Sequence, residues 1–120
     1  SGALRFADFD VTRQAFLRRP AVAAIVNLKP IVPGHVLVIP ATPCARLADL
    51  PASVRPAFWQ TVHEVADVVK QRYGGTSLTL SVQDGPEAGQ SVPHLHVHVL
   101  PRRSGDFTPN DEIYEHLERF

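Results

Sequence analysis

A chain of 120 residues, 44% of them hydrophobic, has room for one packed core and not for a second. Its twelve basic and twelve acidic residues cancel, which argues against a nucleic acid held through many phosphates. No apolar stretch approaches the about 20 residues of a membrane span, and a single cysteine, Cys44, excludes an internal disulfide and reads as an ordinary loop thiol of a reducing compartment.

In chain order, the first residues carry Arg5, Asp8 and Asp10 in place of the apolar core of a secretion signal, so the expected location is the cytoplasm. Modest strand signals at Leu4-Arg5-Phe6 and Ala15-Phe16-Leu17 precede a clear apolar run, Ala23 to Leu28, which Lys29-Pro30 breaks. Pro33-Gly34 then turns the chain into His35-Val36-Leu37-Val38-Ile39, and two such runs around a Pro/Gly connection predict antiparallel strands. In the second, His35, Leu37 and Ile39 share a face. Ala41 to Leu50 reads as a loop. Between Ser53 and Arg72, Val54, Phe58, Val62, Val65 and Val69 recur at steps of three and four, predicting a helix with Ser53 as cap and Gly74-Gly75 as stop. Thr76 to Gln83 alternates as a strand, Asp84 to Ser91 is a turn-rich loop, and a polar segment, 102–110, expected to be mobile, leads to a short helix from about Asp111 to Phe120.

The most informative run is His94-Leu95-His96-Val97-His98-Val99-Leu100. In an extended strand the three histidines line one face, with neighbouring imidazoles starting about 6.6 Å apart. That spacing suits a chain of phosphates better than one metal ion. A buried face would not carry three imidazoles without partners, so the strip is expected to be a working surface. Three chemistries fit: zinc ligation, although no carboxylate lies in the strip; a structural role; and nucleophilic catalysis, in which a neutral imidazole attacks phosphorus and holds the group covalently. For the last, charge on the phosphate oxygens needs donors, which the amides of Gly89 to Ser91 and the side chains of Gln90 and Ser91 offer.

Gly85-Pro86-Glu87-Ala88-Gly89-Gln90-Ser91-Val92 followed by the histidine triplet resembles the histidine triad (HIT) superfamily, in particular its fragile histidine triad (Fhit) branch of dinucleoside polyphosphate hydrolases. Asn27-Leu28-Lys29-Pro30, Pro33-Gly34-His35-Val36, Gly75-Thr76-Ser77-Leu78-Thr79, Pro101-Arg102-Arg103 and Gly105-Asp106-Phe107 carry the same likeness, which spans about Leu4 to Leu117. The resemblance implies His96 as the nucleophile toward the α-phosphate and His98 as the contact to the scissile bridge that assists the leaving group. It implies His94 and His35 as supporting histidines, Asn27 as a ribose contact, Gln83 as a polar contact on the phosphate side, and Gly89, Gln90 and Ser91 as a phosphate cradle. Phe6, Ile25 and Leu37 resemble the walls of an adenine slot. Retention of His98, where nucleotidyl transferases of the superfamily carry glutamine, favours hydrolysis. Pro93, Phe9 and an end at Phe120 depart from the pattern.

The fold the resemblance implies is α+β over one domain, 1–120: a five-stranded, mainly antiparallel sheet with one long and one short helix. In a homodimer that sheet extends to ten strands. The implied function is cleavage of diadenosine tri- or tetraphosphate to AMP plus ADP or ATP through a nucleotidyl-histidine. The protein itself holds no metal in that scheme, and a divalent cation, Mg²⁺ or Mn²⁺, arrives with the substrate. A nucleoside phosphoramidate hydrolase and a slow-turnover nucleotide sensor are the alternatives. Neither nucleic acid nor membrane is an expected partner.

Overall fold

Val22–Val26 and Val36–Pro40 are aliphatic almost throughout, a composition that suits strands covered on both sheet faces. The structure, a computed structural model, describes residues 2–120. Along them run β1 (Arg5–Phe6), β2 (Phe9–Asp10), β3 (Ala15–Arg18), β4 (Val22–Val26), β5 (Val36–Pro40), α1 (Arg55–Arg72), β6 (Ser77–Val82), β7 (Val97–Arg102) and α2 (Glu112–Arg119). The five strands β3 to β7 form one antiparallel sheet in the order β3-β4-β5-β7-β6, the expected α+β architecture. β7 returns between β5 and β6. Its register places Leu37 and Ser81 on either side of His98, so this histidine sits on an interior strand.

Alternation then sorts the side chains. Val36, Val38, Val97 and Val99 point to one face and pack under Phe58, Val62, Val65 and Val69 of α1. On the other face, Leu4, Phe6 and Val11 from the β1–β2 hairpin cover Ala23, Ile25, Leu37 and Ile39. Beside them, Ile113 and Leu117 of α2 cover Val32 and Leu100. The histidine strip lies between these two covers.

Several boundaries differ from the sequence reading. The helix begins at Arg55, and Ser53 does not cap it. The Pro51 carbonyl accepts the N–H groups of both Val54 and Arg55, which carries the chain into the helix without a hydroxyl. Its end is as expected: Gly74 takes φ +66° and Gly75 N–H donates back to the Lys70 carbonyl at 2.8 Å. The triad strand starts only at Val97, so His94 and His96 precede it. Pro93 has no N–H to give a ladder, and Leu95 donates instead to the Cys44 carbonyl at 2.7 Å, outside the sheet. The 41–50 loop contains a short helical turn at Leu47–Asp49. Buried Arg102 bonds Asp106, Asn110 and Thr79, tying the segment after β7 to β6.

The β1–β2 hairpin was not expected. Phe6 pairs with Phe9, leaving Ala7 and Asp8 as the whole connection. Two-residue connections favour glycine or asparagine where φ is positive, and this one offers neither. Ala7 nonetheless adopts φ +51°, the only non-glycine among the described residues to do so. The left-handed region costs an L-residue about 1–2 kcal/mol, while glycine returns about 0.4–1 kcal/mol through its freer unfolded chain. Ala7→Gly is therefore expected to raise the unfolding free energy by about 0.5–1 kcal/mol in urea titration. A loss of stability would show that the Ala7 methyl contributes more than the strain it carries.

Candidate active site

The histidine face is not an open surface. His94 and His98 are 0% exposed and His96 only 5%, so the strip expected to be a working surface is buried. Six of the eight ring nitrogens of His35, His94, His96 and His98 find a partner, which meets most of the physical objection raised by the sequence alone.

Those partners set the protons. The Ile31 N–H donates to His35 Nδ1 at 3.1 Å, so neutral His35 carries its proton on Nε2. That Nε2–H donates to His98 Nδ1 at 2.9 Å, which leaves the His98 proton on Nε2. This last nitrogen is buried and has no partner. A second chain of bonds starts at Ala7, whose N–H donates to His94 Nδ1 at 2.8 Å. His94 Nε2–H in turn donates to the Pro40 carbonyl at 3.1 Å. The His94 backbone carbonyl accepts Nδ1–H of His96 at 2.7 Å, leaving the lone pair of His96 on Nε2. No described residue bonds that atom. The His96 and His98 rings stand 5.1 Å apart between centroids in an edge-on arrangement. The ring carrying a bare imidazole nitrogen thus packs edge-on against the ring carrying a proton-bearing one.

Aromatic rings close the site from both sides. Phe6 packs on His94 at 5.1 Å and on His96 at 5.2 Å. From the end of α2, Phe120 packs at 5.0 Å on both His35 and His98. Next to them opens a mainly apolar cavity of 330 Å³ whose lining includes Phe6, Ile25, Leu37, Asn27, Phe9 and Phe120. The first three are the expected walls of the adenine slot and the fourth is the expected ribose contact. Lys29 is its one cation and Asp10 its one anion. Asn27 donates Nδ2–H to the His35 carbonyl at 3.1 Å and keeps its amide oxygen free of described partners.

The expected phosphate cradle is narrower than its sequence suggests. The Gly89 and Gln90 N–H groups donate within their own turn, to Pro86 and Gly85 carbonyls at 3.0 and 3.1 Å. The Gln90 side chain is a brace: Oε1 accepts from Gly85 N–H at 2.8 Å, while Nε2 donates to the Ala45 and Val92 carbonyls at 2.7 and 3.1 Å. Of the three amides, only that of Ser91 remains without a described partner. Gly89 is needed for another reason. At φ +89° any Cβ would lie 2.9 Å from Gln83 Nε2. That Gln83 nitrogen donates to the Leu117 carbonyl at 3.2 Å, so Gln83 lies between the loop and α2. Sequence reasoning missed Ala7 and Phe120, since neither an alanine in a turn nor an aromatic capping a helix carries a motif. Among the described residues no three His, Cys, Asp or Glu side chains are grouped to hold a metal ion.

Comparison with known proteins assigns this antiparallel five-stranded sheet, with three alternating histidines leading into its interior strand, to a known family. The chain belongs to the HIT domain family, whose model matches residues 9–105. It is 46% identical over 106 residues to the bifunctional bis(5'-adenosyl)-triphosphatase/adenylylsulfatase FHIT of Arabidopsis thaliana, covering 88% of this chain and 59% of that protein. It is 45% identical over 116 residues to the asymmetrical bis(5'-nucleosyl)-tetraphosphatase of Schizosaccharomyces pombe, covering 97% of this chain and 64% of that protein. The crystal structure of the C. elegans NitFhit protein superposes with a TM-score of 0.85 at 40% identity, over 97% of this chain and 29% of that one. The chain therefore spans roughly three-fifths of the two named hydrolases, 59% and 64%.

Burial holds the imidazoles neutral. It pulls His35 down to about 4 and His98 to about 3, with the neighbouring His96 adding to both, and it lowers His94 and His96 as well. In the unfolded chain these side chains take up protons near 6.5. The folded state binds fewer protons below that value, so stability is complete above about pH 6.5 and falls as pH drops toward 4 and then 3. The urea midpoint is expected to fall between pH 7 and pH 4.5, with a smaller fall in a His98→Asn variant. An equal decline in both proteins would show that the acid sensitivity lies outside the imidazoles.

Proposed function

We propose that this protein hydrolyses dinucleoside polyphosphates, diadenosine tri- or tetraphosphate in particular, through a nucleotidyl adduct on His96. The observation that carries the proposal is the proton pattern: a bare Nε2 on His96, whose ring packs against that of His98 with its proton-bearing, unpartnered Nε2. The neutral His96 Nε2 attacks the α-phosphorus, a nitrogen–phosphorus bond forms, and the bond to the bridging oxygen breaks. Positive charge developing on the His96 ring is shared through Nδ1–H with the His94 carbonyl. Nε2–H of His98 donates to the departing oxygen, which leaves as the nucleoside di- or triphosphate. Water then attacks the same phosphorus, the nitrogen–phosphorus bond breaks, AMP is released, and the water proton passes to solvent.

The 330 Å³ slot suits a purine: Phe6, Ile25 and Leu37 supply apolar walls and the Asn27 oxygen is free for a ribose hydroxyl. With Lys29 its one lining cation, most of the polyphosphate charge needs a partner from elsewhere. A divalent cation travelling with the substrate, Mg²⁺ or Mn²⁺, meets that need. The named activities of the two hydrolase relatives support the same substrate class.

A homodimer completes the proposal. β6 and β3 are the sheet edges, and β3 is short and carries a register shift. Six-residue β6 is regular and exposes Leu80, so it is the better edge for a second copy and a ten-stranded sheet. Sedimentation velocity is expected to show a dimer that Leu80→Lys weakens; a monomer at high concentration would sink this assembly.

The first test of the chemistry incubates the chain with diadenosine triphosphate and Mg²⁺ and follows AMP. Wild type is expected to release AMP, and His96→Asn to release it about a thousandfold more slowly or worse. No AMP from the wild type, or equal rates from both, would overturn the hydrolase reading.

A further inference from the structure

We infer that the β1–β2 hairpin is a positioning device for the nucleophile, acting through the Ala7 N–H and the His94 ring; this rests on the assignment of His96 as nucleophile. His94 has no free nitrogen for a substrate. One ring nitrogen accepts from Ala7 and the other donates to the Pro40 carbonyl, and the side chain is fully buried. What His94 offers the site is its backbone carbonyl, which holds Nδ1–H of His96 at 2.7 Å. The direction of that carbonyl depends on where the His94 ring is anchored.

The anchor comes from an element outside the main sheet. A two-residue connection brings Ala7 over His94, and the Arg5 guanidinium secures the turn by donating to the Asp8 carbonyl at 2.7 Å. Phe6, the residue before Ala7, packs on both His94 and His96. Together with the Pro40 carbonyl, one hairpin corner therefore fixes the proton of His94, and it packs on both rings. The same corner holds the one positive-φ non-glycine among the described residues. Backbone strain persists where surrounding contacts hold it, and here the strained residue makes the N–H bond to the triad. Without that donor, the Pro40 carbonyl alone holds the His94 proton on Nε2, the ring loses its second anchor and its fixed tilt, and the carbonyl behind His96 is no longer held.

The decisive measurement is made on the unmodified chain by nitrogen NMR. A scalar coupling across the hydrogen bond from the Ala7 amide nitrogen to His94 Nδ1 is expected, together with a single Nε2–H tautomer of His94. Absence of the coupling, or a mixture of tautomers, would overturn the inference irrespective of enzymatic activity.

Chemical synthesis supplies the functional test. Replacing Ala7 by its hydroxy acid turns its N–H into an ester oxygen and leaves every side chain in place. The His94 and His96 ring shifts are expected to move from their wild-type positions, and kcat for AMP release to fall by about tenfold or more with KM within about twofold. The control carries the hydroxy acid at Val11, which removes a neighbouring hairpin bond to the Leu4 carbonyl of 2.9 Å. It is expected to lower the melting temperature and leave the His94 shifts unmoved. Identical ring shifts in the two esters would show a merely structural hairpin. An inactive wild type that still shows the coupling would sink the hydrolase reading alone.

Discussion

Four imidazoles packed between a sheet and its covers must each find a place for two ring nitrogens, and that requirement organises the molecule. Burial favours the neutral form of each ring. A neutral ring carries one donor and one acceptor, so every partner dictates the role of the opposite nitrogen. Backbone groups at Ala7, Ile31, Pro40 and His94 supply the fixed ends of these chains. The lone pair of His96 and the proton of His98 are what remain. Reactivity here is the unsatisfied remainder of a hydrogen-bond network that is otherwise closed.

The fold supplies the fixed ends. α1 covers one sheet face with an apolar layer, which leaves the opposite face for the histidines. There the hairpin and α2 stand on either side, contributing Phe6 and Phe120 against the rings. Both elements are small, and both are held by a few apolar residues on the sheet. The loop before β7 is tied in another way. Asp84 takes the Arg46 guanidinium and the Leu47 N–H, and the Gln90 amide joins Gly85, Ala45 and Val92. Gln90 thus shapes the loop from within, and its side chain has no atom left to meet a phosphate directly.

Much of this was legible from residue order. The three- and four-residue steps from Val54 to Val69 describe the buried stripe of α1, and the paired glycines describe its end. The alternation of His35, Leu37 and Ile39 describes which way β5 faces. The slot walls Phe6, Ile25 and Leu37 and the ribose contact Asn27, named from family likeness, converge on one cavity. Other features left no mark. The hairpin turn at Ala7 lacks the glycine that would announce it. Pro93 displaced the start of β7, because its missing N–H and the pull of the Cys44 carbonyl on Leu95 outweigh the alternating pattern. Ser53 looked like a cap because sequence shows a hydroxyl and not the Pro51 carbonyl that makes it unnecessary.

The sequence by itself determined the inventory: which residues are apolar at which period, where glycine permits a turn, and that three histidines recur at alternate positions. Those are local properties, set by side-chain chemistry and the two backbone periods. Only the tertiary structure decided what each imidazole can do. The proton on His94 is placed by a residue 87 positions away and a carbonyl 54 positions away, and that on His98 by a ring 63 positions away. A tautomer is a property of a ring and its partners together, and partners that distant are chosen by the packing of the sheet, not by the order of the chain.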